Sequence, residues 1–129
     1  MNAILLAGRI AFGGYFIYNG VNHFIGFGRM TQFAKMKGVP LPAIAQALTG
    51  LMLILGGFSI MSGVYPFVGI ALLVAFLVPV SLMMHNFWKI EDPQLRMADR
   101  NNFARNLALL GAILMFLAIP SPWPLSLVP

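Results

Sequence analysis

The 129-residue chain has no cysteine, which excludes structural disulfides, thiolate metal sites and thiol redox chemistry. Any redox role therefore needs a borrowed cofactor. Charge is almost as scarce. Three acids and eight bases make 9% of the residues, where a soluble domain carries roughly a quarter. So few charged side chains cannot cover the surface of a globular chain in which 60% of residues are hydrophobic. Lipid is the solvent that fits. Also missing are a phosphate-cradling glycine loop and any serine, histidine and acid set, so complete catalysis by this chain alone is not expected and no catalytic residue is assigned.

What the chain does have is four apolar stretches, at 3–24, 42–62, 66–84 and 103–119. At about 1.5 Å of rise per residue each reaches roughly 25 to 33 Å, close to a hydrocarbon core of about 30 Å. The expected fold class is all-α, an integral membrane four-helix bundle with short loops, forming a single domain over 1–129. The first stretch lacks a basic start, holds Arg9 inside and is not followed by a small-residue cleavage site, so it reads as a retained helix. The fourth is the shortest and is expected to begin somewhat before 103. Only Gly63, Val64 and Tyr65 separate the second and third stretches, which must therefore form a tight antiparallel hairpin. Small residues such as Gly13, Gly14, Gly56, Gly57, Ser59 and Ala108 let helices approach closely, and Pro79 is expected to kink the third helix.

Orientation follows from the bases. Arg29, Lys35 and Lys37 follow the first helix, and Lys89, Arg96, Arg100 and Arg105 surround the start of the fourth. Both segments fall at one end of a four-helix bundle, so the positive-inside rule places them in the cytoplasm and both termini outside. This distribution explains the net charge of +5 by topology, and nucleic-acid binding is not expected. The C-terminal segment, with Trp123 among Pro120, Pro122, Pro124 and Pro129, reads as an extended interfacial strap.

Arg9 is the one charge read inside a span; it must snorkel to lipid phosphate, or meet a ligand or a partner subunit. The acids Glu91, Asp92 and Asp99 are read as lying outside the spans, at the other end. At that end the helices converge on uncharged polar residues at one depth: Asn19, Asn22 and His23, then Gln46, then His85 and Asn86, then Asn106. His23 and His85 at matched depth can clamp a haem or metal, or hydrogen-bond a quinone carbonyl, while hydrogen bonding between helices is the commoner fate of such residues. With no carboxylate read in a span and no thiol, a metal site would be under-ligated, and no metal is assigned. Phe24, Phe27, Phe87 and Trp88 surround this level as a headgroup belt or a slot for a flat ring. The candidate ligand-binding residues are Arg9, Asn19, His23, Gln46, His85, Trp88 and Asn106. His23, His85 and Asn106 are expected to line a small polar cavity behind Trp88, with quinone as the possible cofactor.

These residues carry a resemblance to the DoxX family of small four-helix membrane proteins. It rests on Arg9 with Gly20 in the first helix, the glycine-rich second helix LTGLMLILGGFSIMSG, and the segment MHNFWKIEDPQLRMADRNNFARNLALLGAILM. Within the last, His85, Phe87 and Trp88 fit an HxFW pattern, and Phe103, Asn106 and Gly111 the FxxNxxxxG that follows. One departure is the absence of the acidic residue that many relatives carry early in the second helix, where this chain has Ala47, Leu48, Thr49 and Gly50. The resemblance implies a bacterial or archaeal inner-membrane protein that serves as a subunit of a membrane-bound, quinone-linked redox complex, an oxidoreductase subunit and not an enzyme alone. The alternative is a noncatalytic scaffolding subunit of a larger complex or a homo-oligomer. A small-molecule transporter is disfavoured, because intramembrane acids that would couple transport are not read.

Overall fold

A computed structural model describes residues 1–127, with no strand among them, so Pro129 lies outside the described residues. The elements in chain order are α1 (Asn2–Ile25), α2 (Phe27–Met36), α3 (Pro42–Ser62), α4 (Pro66–Met83) and α5 (Pro93–Met115). α1, α3, α4 and α5 are long and apolar enough to cross a membrane, and their lengths correspond to roughly 27 to 36 Å. The fold is an all-α bundle of four spanning helices.

The α3–α4 hairpin has the limits its hydropathy gives. Gly63 ends α3 in the left-handed conformation (φ 78°), Pro66 opens α4, and the Ser59 hydroxyl lies 2.7 Å from the Val64 carbonyl and 2.9 Å from that of Tyr65, so it occupies acceptors left over by the turn. Pro79 lies inside α4.

α5 begins far earlier than the apolar pattern suggests. Asp92 is its N-cap, accepting hydrogen bonds from the backbone N–H of Gln94 (2.9 Å) and Leu95 (3.4 Å), and Pro93 takes the first helical position. Asp99 thus belongs to the helix that continues into the fourth span, which corrects the expectation that no span carries a carboxylate. The segment after α1 is likewise not a loop. α2 buries Ala34 and packs against α3, while Arg29 and Lys35 stay exposed, the pattern of an amphipathic helix at a membrane interface.

α1 packs chiefly on α3, α3 on α4, and α4 on α5. The α1–α3 seam is made by glycines facing each other across antiparallel helices. Gly13 meets Gly57, and Gly20 meets Gly50 about two turns away on each helix. A Cβ on Gly57 would stand 2.5 Å from the Gly13 carbonyl oxygen, and one on Gly20 would stand 2.8 Å from that of Gly50, so backbone touches backbone along the seam. The apolar core of Phe16, Leu53, Ile60, Leu73, Leu77 and Ile113 lies beside it.

The C-terminal segment is not an interfacial strap. Trp123 is 2% exposed and packs in the core against Phe116, and the Leu127 N–H bonds the Ser62 carbonyl at 2.9 Å. Arg9 is the physical reason. Its side chain, 1% exposed, donates from Nε to the Ile60 carbonyl (3.1 Å), from Nη2 to the Met61 carbonyl (3.2 Å) and from Nη1 to the Pro124 carbonyl, and it lies 5.5 Å from the centre of the Trp123 ring. Two of these acceptors are last-turn carbonyls of α3 that have no partner within the helix. The guanidinium therefore neither snorkels nor faces lipid; it joins the end of α3 to the C-terminal segment.

Candidate functional site

At the opposite end of the bundle the helices diverge. α1 is drawn onto α3 by the glycine seam and approaches α5 through Phe12 and Phe116, whose rings are 5.0 Å apart near the Arg9 end. Beyond that contact lies a cavity of about 840 Å³ walled by residues of α1 to α5, within the range of about 300 to 1,000 Å³ usual for small-molecule sites. Its wall is mostly apolar, including Met52, Phe76, Leu77, Met83 and Leu109. Asn19, His23, Gln46, Thr49, His85 and Asn106 interrupt it with polar groups, and Arg29 and Arg105 with charge.

His23 and Gln46 clasp α1 to α3. The Gln46 amide donates to the His23 carbonyl (3.3 Å) and to Met30 Sδ (3.6 Å), while His23 Nδ1 is 3.3 Å from both the Gln46 carbonyl and the Thr49 hydroxyl. Thr49 Oγ1 lies 2.6 Å from the Ala45 carbonyl, to which it donates its hydrogen, so Nδ1 of His23 faces two acceptors. The neutral ring then carries its proton on Nδ1 and leaves Nε2 as an acceptor.

His85 has a different partner. Its Nδ1 is 3.2 Å from one carboxylate oxygen of Asp99, and the other oxygen is 3.1 Å from Lys37 Nζ, which also donates to the Asn86 amide oxygen at 3.2 Å. The three charged or titratable side chains are largely buried, and they tie the end of α4, the start of α5 and the segment after α2 into one cluster. A carboxylate on one imidazole nitrogen fixes the tautomer and the ring orientation, so Nε2 of His85 remains for a ligand. Neither Asp99 nor Lys37 is among the candidate ligand-binding residues read from the sequence; the Asp–Pro helix start is the signal that places Asp99. The helical periodicity of α2 is the corresponding signal for Lys37, which follows that helix.

Asn106 on α5 is 5% exposed and lines the cavity, yet none of the hydrogen bonds among the described residues involves its side-chain amide. The amide opens onto the cavity, where a ligand oxygen or a water can bond it. Asn19 sits nearer the surface, its amide donating to the Tyr15 carbonyl one turn back at 2.8 Å.

Two residues read from the sequence do not join this group. Arg9 is at the other end of the bundle with its donors engaged as described. Trp88, 50% exposed, follows the end of α4 in a short 3₁₀ turn (Phe87–Lys89) and forms an aromatic cluster with Phe87 and Phe103, at ring separations of 5.3 and 5.8 Å. The cavity is thus large and mainly apolar, and its wall is completed by α2 and not by Trp88. Among the described residues no group of three or more His, Asp or Glu side chains is placed to hold a metal ion.

These features define a helical membrane protein with four spans and a partly open cavity of ligand size. The sequence profile of the DoxX family matches residues 4–86, more than half the chain, and the protein belongs to that family. No curated protein and no solved structure matches it. The matched stretch carries α1 to α4, with Asn19, His23, Gln46 and His85; α5, which brings Asp99 and Asn106, lies beyond it.

Proposed function

We propose that this DoxX-family membrane protein binds quinone in the cavity as a subunit of a membrane redox assembly. The observation that carries this reading is the Asn106 amide, uncommitted within the protein and open to an apolar cavity that also presents the Asp99-backed imidazole of His85. Two polar groups on an apolar wall suit a flat, mostly apolar ring with oxygens at its edge. Quinone supplies two-electron redox chemistry when bound. For its part, the Asn106 amide donates to a carbonyl oxygen. Nε2 of His85 accepts a hydrogen bond from a hydroxyl, and Asp99 holds the ring in that orientation. Electrons pass to or from a partner subunit, because the chain has no thiol of its own.

Two substitutions test the reading. His85→Leu and Asn106→Leu are each expected to weaken binding of a soluble quinone analogue to the purified chain in nanodiscs by roughly tenfold, the equivalent of one hydrogen bond to a buried partner. Asn106→Leu should also leave the thermal midpoint unchanged or raise it, since it removes an amide that has no partner in the protein. If it lowers the midpoint without a separate binding defect, Asn106 is structural. A parent chain that binds no quinone leaves the scaffolding role as the better account.

We further propose that the protein lies in a cytoplasmic membrane with the α2 and His85 end facing the cytoplasm and both termini outside, from the cluster of seven bases at that end. A reporter active only in the cytoplasm is expected to be silent when fused at the C-terminus and active when inserted between α2 and α3. The reverse pattern would invert the orientation.

A further inference from the structure

The rim of the cavity carries two guanidinium groups for which the protein provides no acceptor. Arg29 on α2 and Arg105 on α5 both line the cavity and are both exposed, and neither takes part in a hydrogen bond or ion pair among the described residues. Their neighbours are treated otherwise. Arg96 folds onto the carbonyls of Ile90 (2.7 Å) and Glu91 (3.3 Å), and Lys37 takes one oxygen of Asp99 while His85 takes the other. Asp92 is committed to capping α5. Of the three acids at this end, Asp92 and Asp99 are committed and the Glu91 carboxylate forms no ion pair with either Arg29 or Arg105 among the described residues.

Depth makes this informative for Arg105. It lies six residues past Asp99, roughly 9 Å further along α5 toward the apolar span, where water is scarcer and an unpaired guanidinium is costly. Arg9 illustrates how this fold holds a guanidinium within a span, by surrounding it with carbonyls; Arg105 has no such arrangement. Its acceptor comes from outside the chain. The cavity wall that the two arginines share includes the apolar side chains of Met30, Phe33 and Leu109. A planar fork on each side of the rim suits the oxygens of a phosphate ester, and the apolar wall beneath suits an acyl chain.

We propose that the cavity mouth is a binding site for an anionic phospholipid, with its phosphate between Arg29 and Arg105 and an acyl chain along the wall formed by α2 and α5. The shared chemistry is that of a phosphate ester; the apolar wall selects the lipid over free phosphate. Arg29 and Arg105 line the same cavity as His85 and Asn106, but the lipid reading rests on the two arginines alone, and a chain that binds no quinone still tests it.

The full chain, purified in mild detergent and stripped of lipid, is titrated separately with phosphatidylglycerol, phosphatidylcholine and inorganic phosphate, and binding is read as the shift in thermal midpoint and by native mass spectrometry. Phosphatidylglycerol is expected to raise the midpoint and remain bound, while the other two do neither. Arg29→Gln with Arg105→Gln should weaken the phosphatidylglycerol effect on the order of tenfold or more, with the lipid-free midpoint unchanged because both side chains are exposed. Arg105→Lys alone, which keeps the charge but loses the planar fork, should fall between parent and double variant and serves where the double variant does not fold. Equal retention of phosphatidylcholine, a shift by inorganic phosphate as large as that by the lipid, or unweakened binding in the variants would overturn the proposal.

Discussion

Arg9→Leu is expected to detach the C-terminal segment and strongly destabilise the bundle. It strips donors from the carbonyls of Ile60, Met61 and Pro124 in a buried site. Each stranded acceptor costs about 1–3 kcal/mol; set against the relief of burying the charge itself, the net loss is on the order of 3 kcal/mol. Arg9→Lys should recover only part of it, because one ammonium cannot present the separated donors that a planar guanidinium directs at three carbonyls. The readout is specific. In a Trp88→Phe background Trp123 is the sole indole, and it is 2% exposed in the parent. Its emission should shift to longer wavelength in Arg9→Leu at temperatures where the helices persist. A variant with parental emission and midpoint would show that the segment is held by Trp123 packing alone.

The second large effect is expected at the glycine seam. In Gly57→Val the new Cβ meets the Gly13 carbonyl oxygen at 2.5 Å, Ile17 Cγ1 at 2.9 Å and the Ile17 backbone nitrogen at 3.0 Å. Two of the three are backbone atoms of α1, which move only if the whole helix moves. Overpacking usually costs about 1–3 kcal/mol, and this site should reach or exceed the top of that range. A loss of thermal midpoint and an opening of the cavity to water are expected together, because α1 forms a wall of that cavity. Gly111→Ala is the control: a Cβ there meets nothing within 4 Å, so it should be neutral or mildly stabilising. Similar losses at both positions would mean that the seam is not what fixes α1 on α3.

The ease with which α3 and α4 could be delimited, compared with α2 and α5, has a physical basis. α3 and α4 carry no charged residue, and the glycine and proline that bracket their turn have one conformational meaning each. α2 is short, and its amphipathic pattern was hidden by reading its bases only as a topology signal. α5 starts as a polar helix, so hydropathy misses its first turns, whereas Asp92 and Pro93 mark the start by capping chemistry. The shared depth of Asn19, His23, Gln46, His85 and Asn106 was legible because rise per residue converts sequence position into height. Which of them meet a ligand was not, since that depends on how far apart neighbouring helices stand. The surroundings of Arg9 were illegible for a further reason: its acceptors are backbone carbonyls, which every residue has and which therefore leave no mark in a sequence.

The contacts of Arg9 also set an order on biogenesis. During synthesis the arginine reaches the bilayer with the first helix, while its acceptors at Ile60 and Met61 are 51 and 52 residues away and the one at Pro124 is 115 away. Until those segments arrive, a charge sits in the span without its final partners, and the insertion machinery, lipid headgroups or water must accommodate it. This end of the bundle is consequently closed only once Pro124 has arrived, and a nascent chain released before it would hold four helices with one end unsealed.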